Sequence, residues 1–260
     1  MNSNRWWTGI VCGLIVVVGA CQTHAEEPKP PATTPEAPVA PDDKQLPGLT
    51  RLAKDYDLWI DTKRKLVVLD GKICLRDGTL ELFACPKGTK EHESIVQVNC
   101  PPKFVHAALL AIGAKPGSPV KVDPKYVPAN GPEIEVLVLW KDKDGKPQKV
   151  RAQEWIRDLK TGKVLDTPWV FGGSRFWVDP MTGQQQYLAD SGDLICVSNF
   201  PTATMDLPIN SSVEDAQRLF GAHTERIPAL NTAVRLVLIP KFPPEKPGEK
   251  PAEKPAEKKE

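Results

Sequence analysis

The sequence predicts an α+β fold: a mainly antiparallel sheet built from hairpins, with two packed helices, flanked by disordered Pro-rich segments. Short apolar runs separated by Asp-Gly pairs indicate hairpins, because these residues favour the tight turns that join antiparallel strands. Two widely separated stretches show apolar residues at helical spacing. Strands and helices do not alternate regularly, which favours α+β over a parallel α/β sheet.

Residues 1–25 have the layout of an export signal. One arginine precedes an apolar run at 9–20, which is shorter than the ~20 residues that a membrane span needs, and small residues follow. The sequence allows two alternative cleavage sites. Residues 18–21 resemble a lipobox that would leave Cys21 lipidated, and ordinary cleavage would follow Ala25. We therefore expect an exported protein of the cell envelope or periplasm, anchored in the membrane by a lipid on Cys21.

Two low-complexity segments flank the region that we expect to fold. Residues 26–47 and 242–260 are rich in Pro, Ala and charged residues and have almost no large apolar side chains. They cannot bury enough surface to offset the entropy of ordering. We predict a Pro-rich linker at 26–47, a disordered tail at 242–260, and a single domain at 48–241. The formal net charge of +1 and the absence of a nucleic-acid-binding motif argue against a nucleic-acid partner.

In the first half of the predicted domain, the sequence pattern indicates short strands followed by a helix. Asp70 and Gly71 form the predicted hairpin turn between the second and third strands. A helix begins after Pro101, presents one apolar face, and ends at Gly113. The predicted strands are 58–60, 66–69, 72–75, 80–84 and 95–98.

In the second half of the predicted domain, the sequence pattern indicates further strands and a second helix. Asp144 and Gly145 form a hairpin turn. Ser211 and Glu214 have the spacing of a capping box, which predicts a helix with apolar residues up to Phe220. The predicted strands are 134–140, 148–152, 169–177, 194–197 and 234–239.

Residues 81–94 hold the densest group of reactive side chains and connect two predicted strands, at one rim of the sheet. Cys85 and His92 offer sulfur and nitrogen ligands suited to zinc or copper. His92 and Glu93 are candidates for acid–base catalysis. Cys100 is a candidate nucleophile, because it precedes a helix whose N-terminal N–H groups would favour the thiolate. The alternative is a polar loop that hydrogen-bonds its own backbone, beside inert thiols.

The predicted domain holds an even number of cysteines, as expected of an exported protein with disulfides. Four cysteines allow three pairings, which the sequence leaves open, and buried free thiols are the alternative. Their spacing does not match the short Cys clusters that ligate iron–sulfur centres, so we expect no such cluster. We expect no bound cofactor, with zinc or copper as the open alternative. The disulfide candidates are Cys74, Cys85, Cys100 and Cys196.

Aromatic residues around a glycine pair form a candidate ligand surface. Trp169, Phe171 and Trp177 flank Gly172 and Gly173. Such rings could stack on a sugar or a peptide. A glycine bulge in a core strand would explain the same residues.

Five stretches of the chain resemble the YdjY-domain proteins of bacteria: residues 74–78, 80–94, 105–117, 169–174 and 193–201. The resemblance implies an exported envelope protein, often with a signal or lipoprotein segment. Some members of that family carry a ferredoxin-type iron–sulfur label, and the cysteine spacing of this chain departs from it.

These observations favour a non-enzymatic binding or scaffolding module of the cell envelope. The expected partners are the membrane, through the N-terminal lipid, and an envelope protein or polymer. The alternative is a metal- or thiol-dependent redox protein or enzyme with its site on residues 81–94.

Overall fold

The β-strands of the chain close into a barrel. The structure is a computed structural model, and it describes residues 48–211 and 219–242. Within these ranges the elements are β1 (Thr50–Arg51), β2 (Leu58–Asp61), β3 (Leu66–Ile73), β4 (Leu82–Pro86), β5 (Ser94–Val98), α1 (Pro102–Ala111), β6 (Glu133–Lys141), β7 (Pro147–Arg151), β8 (Ile156–Asp158), β9 (Trp169–Phe171), β10 (Phe176–Val178), β11 (Gln185–Tyr187), β12 (Ile195–Cys196), β13 (Met205–Asp206), β14 (Phe220–Ala222) and β15 (Ala233–Pro240).

Eight strands form the barrel, in the order β3-β15-β6-β9-β13-β12-β4-β5. The barrel closes because β5 also pairs with β3. Strands β1 and β2 extend the sheet beyond β3, and β7 pairs with β6. Most neighbours are antiparallel, whereas β4–β5 and β12–β13 are parallel. Two further pairs, β10–β11 and β8–β14, lie outside the barrel sheet.

The predicted α+β class is therefore wrong: the fold is mostly β. The described part of the chain holds one α-helix, not two packed helices. The predicted second helix falls mainly on residues 212–218, which lie outside the described residues, and Phe220 at its expected end belongs to β14. The prediction failed because hairpin signals are local. Barrel closure instead depends on pairings between residues far apart in the sequence.

The predicted hairpin turn at Asp70 and Gly71 is also wrong, because β3 runs straight through both residues. Gly71 lies opposite Val98 in the β3–β5 pairing. A Cβ atom at this position would lie 2.4 Å from the carbonyl oxygen of Gln97. The glycine thus permits the close approach of the two closing strands.

Asp70 pairs with a buried arginine on the neighbouring strand. Arg235 lies opposite Asp70 in the β15–β3 pairing and is 1% exposed. Its Nε and Nη2 atoms donate to the two carboxylate oxygens of Asp70 at 2.6 and 2.8 Å. Two parallel hydrogen bonds of this kind fix the relative position of both groups. The pair therefore helps to set the register of β15 against β3.

The barrel interior holds a continuous apolar core. Large rings fill its centre, and β2 and β4 are buried along their whole length, so both of their faces are covered. The largest fully buried apolar side chains are Trp155, Trp169, Phe83, Phe171, Leu58 and Leu69.

The predicted first helix is confirmed as α1. Pro101 is its N-cap and Pro102 occupies the first turn, where a missing N–H is tolerated. Val105, Ala108 and Leu109 are buried in the main core. Gly113, with φ +93°, lies just beyond the last turn. Across the described ranges, no helix is both long enough and apolar enough to cross a membrane.

We expect Gly71→Ala to destabilise the barrel by about 3 kcal/mol, because the new Cβ overlaps the Gln97 carbonyl and forces β3 and β5 apart. The measurement is the free energy of unfolding in urea. Gly183→Ala is the control: its φ of +69° disfavours a side chain, but no atom of the described residues lies within 4 Å of the new Cβ. It should cost only about 1 kcal/mol. Equal effects of the two substitutions would contradict the role assigned to Gly71.

Candidate functional site

The β10–β11 hairpin stands apart from the barrel sheet and exposes large apolar side chains. Among the described strands, β10 and β11 pair only with each other. Phe176, Trp177 and Val178 are 55%, 44% and 56% exposed, and Met181 near the turn is 92% exposed. An apolar patch of this kind on a folded domain is typical of a binding surface.

A cleft of about 550 Å³ runs between this hairpin, the first turn of α1 and the 3-10 turn at Leu188–Ser191. Its volume lies in the range of small-molecule sites. Its walls combine an aromatic ring with amide, hydroxyl, ammonium and carboxylate groups. The lining residues are Lys103, Phe176, Gln185, Gln186, Tyr187, Leu188, Asp190, Ser191 and Thr202.

Asp190 links the cleft to the N-terminus of α1. Its Oδ1 accepts a hydrogen bond from the backbone N–H of Lys103 at 3.0 Å, and its Oδ2 lies 3.3 Å from Lys103 Nζ. The carboxylate thus satisfies a helix N–H that has no partner within the helix. The result is a fixed pair of opposite charges at one wall of the cleft.

A buried polar network holds the hairpin against α1. His106 Nδ1 lies 2.9 Å from the hydroxyl of Tyr187, which donates to the Gly173 carbonyl at 3.0 Å and contacts Thr204 Oγ1 at 3.2 Å. Burial lowers the pKa of His106 and raises that of Tyr187, so both are neutral near pH 7. The His106 ring also meets Phe171 edge to face, at 5.0 Å. The network thus holds Tyr187, which lines the cleft, among buried neutral groups.

A second polar cluster surrounds Lys90. Its Nζ lies 3.1 Å from Asp193 Oδ1, and 3.6 Å from both Glu81 Oε2 and Glu93 Oε1. It also lies 4.1 Å from the centre of the Phe200 ring. Burial by itself lowers the pKa of Lys90, but the carboxylates, led by Asp193, outweigh it and raise the pKa. Lys90 therefore remains charged and joins three segments of the chain.

The position of Lys90 follows from the parallel pairing of β4 and β5. Because Leu82 lies opposite Ser94, the chain must return to the start of β4 within residues 87–93. This connection is shorter than the dozen or more residues that usually join parallel neighbours. It runs back alongside β4, which places Lys90 next to Glu81.

Asp206 is a buried carboxylate behind this cluster, and burial raises its pKa to about 7. Hydrogen bonds from the Asn199 amide, the Leu207 N–H and the Phe200 N–H oppose the shift. The group therefore changes its charge near neutral pH.

The comparison with known proteins identifies the family. The model for the YdjY domain matches residues 58–239, which is more than half of the chain. The chain belongs to the YdjY-domain family. No curated protein and no solved structure matches it.

Within the YdjY domain, the two candidate metal ligands differ in exposure. Cys85 is fully buried in β4, whereas the side chain of His92 is 78% exposed in the 3-10 turn at Glu91–Glu93. Glu93 is buried, with one oxygen 3.9 Å from His92 Nε2 and the other 3.6 Å from Lys90. The described ranges contain no group of three or more His, Cys, Asp or Glu side chains arranged to hold a metal ion.

All four cysteines of the YdjY domain are free thiols in this structure. The Cys74 thiol donates to the Ser94 carbonyl at 3.1 Å. Cys100 precedes α1 as predicted, but burial, together with the nearby Asp190 and Asp57, raises its pKa to about 12. This direction is opposite to the effect expected of a helix N-terminus. Cys196 is buried, and its pKa lies well above the usual value.

Of the three aromatic residues predicted to form a ligand surface, two lie in the core and one is exposed. Trp169 and Phe171 lie inside the barrel, and Trp169 Nε1 donates to the Cys196 carbonyl at 2.7 Å. Trp177 is exposed on β10. The predicted strand 169–177 is therefore two strands, β9 and β10, which belong to different sheets.

Sequence patterns did not indicate most residues of the cleft, among them Lys103, Phe176 and Gln185. A usable signal was present: Asp179 begins a tight turn that ends at Gly183, with strand-like residues on both sides. Nothing local, however, indicates that this hairpin folds next to α1.

We expect the proton on Asp206 to make stability depend on pH. The unfolded chain releases this proton near pH 3.8 and the folded protein near pH 7, so its contribution is present below pH 3.8 and lost as the pH rises through about 7. Asp206→Asn removes the titrating group. The free energy of unfolding of this variant relative to wild type should therefore rise between pH 4 and pH 8, by up to about 4 kcal/mol.

Urea unfolding at a series of pH values measures this difference. Asp142→Asn is the control, because hydrogen bonds from the turn, led by the Lys146 N–H, lower the pKa of Asp142. Its stabilising contribution is present at neutral pH and lost in acid, so the control should show the opposite trend. A flat difference curve for Asp206→Asn would contradict the assignment.

Proposed function

We propose that this YdjY-domain protein is an exported, lipid-anchored binding protein of the cell envelope that binds a polymer of sugars in the cleft beside the β10–β11 hairpin. The observation that carries the proposal is the exposed ring of Phe176 at the edge of a cleft lined with amide and charged groups. Export and anchoring are supported by the signal-like segment and by Cys21.

The chemistry of the cleft suits a saccharide. A sugar ring has an apolar face of C–H groups, which packs on an aromatic ring, and a rim of hydroxyls that both donate and accept hydrogen bonds. Phe176 supplies the ring. The amides of Gln185 and Gln186 offer donors and acceptors, and Asp190 with Lys103 adds one charged acceptor and one charged donor. The Pro-rich linker at 26–47 would let an anchored domain reach a polymer at a distance from the membrane.

Sedimentation with purified insoluble peptidoglycan tests the site. We expect wild-type protein to sediment with it, and Phe176→Ala to weaken binding about 10-fold, because loss of the stacked ring removes roughly 1.4 kcal/mol. Asp190→Asn should weaken binding as well. Trp177→Ala is the matched control: it is an exposed ring on the same strand, but it does not line the cleft.

Competition identifies the part of the polymer that is bound. Soluble N-acetylglucosamine oligomers should release the protein, whereas free stem peptides should not. Failure of the wild type to sediment, or equal loss with Phe176→Ala and Trp177→Ala, would overturn the proposed cleft.

The anchor has its own test. Expressed in bacteria, the wild-type protein should fractionate with membranes and release a lipid-modified N-terminal peptide that begins at Cys21. Cys21→Ser should abolish both, and Cys12→Ser within the signal should change neither. A mature chain that begins at residue 26 would instead show ordinary cleavage and exclude the anchor.

A further inference from the structure

Two hydroxyl groups of the cleft lining donate their protons to other groups of the protein. Thr202 and Ser191 both line the cleft. The Thr202 hydroxyl donates to Oδ2 of Asp193, and the Ser191 hydroxyl donates to the Leu188 carbonyl at 2.8 Å. A carboxylate and a carbonyl can only accept, so the direction of both hydrogen bonds follows from the chemistry of the acceptors. Because each hydroxyl has one proton, both oxygens can only accept a hydrogen bond from a ligand.

Asp193 lies behind Thr202 and is held at both of its oxygens. It is 4% exposed, and Oδ1, the oxygen that Thr202 does not contact, lies 3.1 Å from Lys90 Nζ. The two contacts fix the carboxylate and thereby the hydroxyl that donates to it. A hydroxyl that donates to a carboxylate is polarised, and its oxygen becomes a stronger acceptor. Thr202 therefore favours a ligand that brings a strong hydrogen-bond donor.

Asp190 adds a negative charge to the same cleft. Its side chain is 27% exposed, accepts from the Lys103 N–H at 3.0 Å and lies 3.3 Å from Lys103 Nζ. A carboxylate has about four lone-pair sites, so these two contacts leave capacity for a ligand. Among the described lining residues, the remaining side-chain donors are the Lys103 ammonium, which pairs with Asp190, and the amides of Gln185 and Gln186, which can also accept.

We infer that the cleft prefers sugars with a free amino group, such as glucosamine units, over their N-acetylated forms. The inference rests on the proposed saccharide-binding function and names the class of sugar. An ammonium group offers three donors and no acceptor, which matches the Asp190 carboxylate and the oxygens of Thr202 and Ser191. Its hydrogen bond to Asp190 is charge-assisted. An acetamido group offers one N–H, and its carbonyl needs a donor that these three groups do not supply.

The test compares three soluble oligomers of equal length and identical linkage, made of glucosamine, N-acetylglucosamine or glucose. Their rings differ only in one substituent, which is an ammonium, an acetamido or a hydroxyl group. Calorimetric titration of the purified protein at physiological salt and mildly acidic pH, where the amine is protonated, measures each Kd. We expect the glucosamine oligomer to bind about 10-fold more tightly than the N-acetylglucosamine oligomer. The glucose oligomer should also bind more weakly than the glucosamine oligomer, because its hydroxyl has one donor and no charge.

Two substitutions separate this site from general attraction between charges. Asp190→Asn keeps an oxygen that can accept from the Lys103 N–H but removes the negative charge, so the preference for the glucosamine oligomer should be lost. Asp166→Asn is the matched control, because the side chain of Asp166 is 97% exposed and does not line the cleft, and it should keep the preference. The formal net charge of the chain is +1, so the protein as a whole does not attract a cationic oligomer.

Thr202→Val tests the second acceptor. Valine has a shape similar to that of threonine but lacks the hydroxyl, so the glucosamine oligomer should bind several-fold more weakly. Thr161→Val removes a hydroxyl from an exposed turn outside the cleft lining and should not change its affinity. Should Thr202→Val fail to fold, the comparison of Asp190→Asn with Asp166→Asn still decides.

The outcomes distinguish this inference from the proposed function. Equal affinity for the three oligomers, tighter binding of the N-acetylated form, or a preference that persists in Asp190→Asn would overturn the inference and leave saccharide binding intact. If none of the oligomers binds and the protein does not sediment with peptidoglycan, the proposed function is wrong and the inference fails with it.

Discussion

The pairing of β5 with β3 is the constraint on which the rest of the structure depends. Without it the strands would form an open sheet that ends at β5, with the backbone groups of that edge unpaired. The pairing spans only three residue pairs and includes Gly71, where the backbone of Gln97 occupies the space of a side chain. The buried pair of Arg235 and Asp70 fixes the adjacent register. Closure thus depends on a small number of close contacts beside a large apolar core.

The same closure determines where the chemical groups lie. Because β5 is parallel to β4, the connection at 87–93 folds back along β4, and the polar residues of this segment lie on the barrel wall. Lys90 then joins Glu81 to Asp193. The cleft lies where α1 and the β10–β11 hairpin are held together by His106 and Tyr187. Thr202 in its lining donates to Asp193, the main partner of Lys90. The Lys90 cluster and the cleft are therefore connected by a hydrogen bond.

The sequence predicts the local elements better than their arrangement. The apolar runs correctly predicted β2, β6 and β15, and the predicted turn at Asp144–Gly145 is confirmed. Pro101 and Gly113 correctly predicted where α1 begins and ends. The turn predicted at Asp70 and Gly71 was wrong, because glycine is favoured both in a tight turn and where two strands approach closely. The glycine pair after Phe171 was expected within one strand, whereas the chain changes sheet there. The cleft could not be predicted, because Phe176, Lys103 and Asp190 meet only after the whole barrel has formed.

The position of β15 has a consequence for how the protein is made. This strand is the last in the described chain, yet it lies between β3, one of the early strands, and β6. Until Ala233–Pro240 has left the ribosome, β3 and β6 have no partner along these edges, and the ring cannot close. Folding is therefore a late event that requires nearly the entire chain. Such a delay would keep a newly made polypeptide unfolded, which is the form in which a chain can be threaded through a narrow translocation pore.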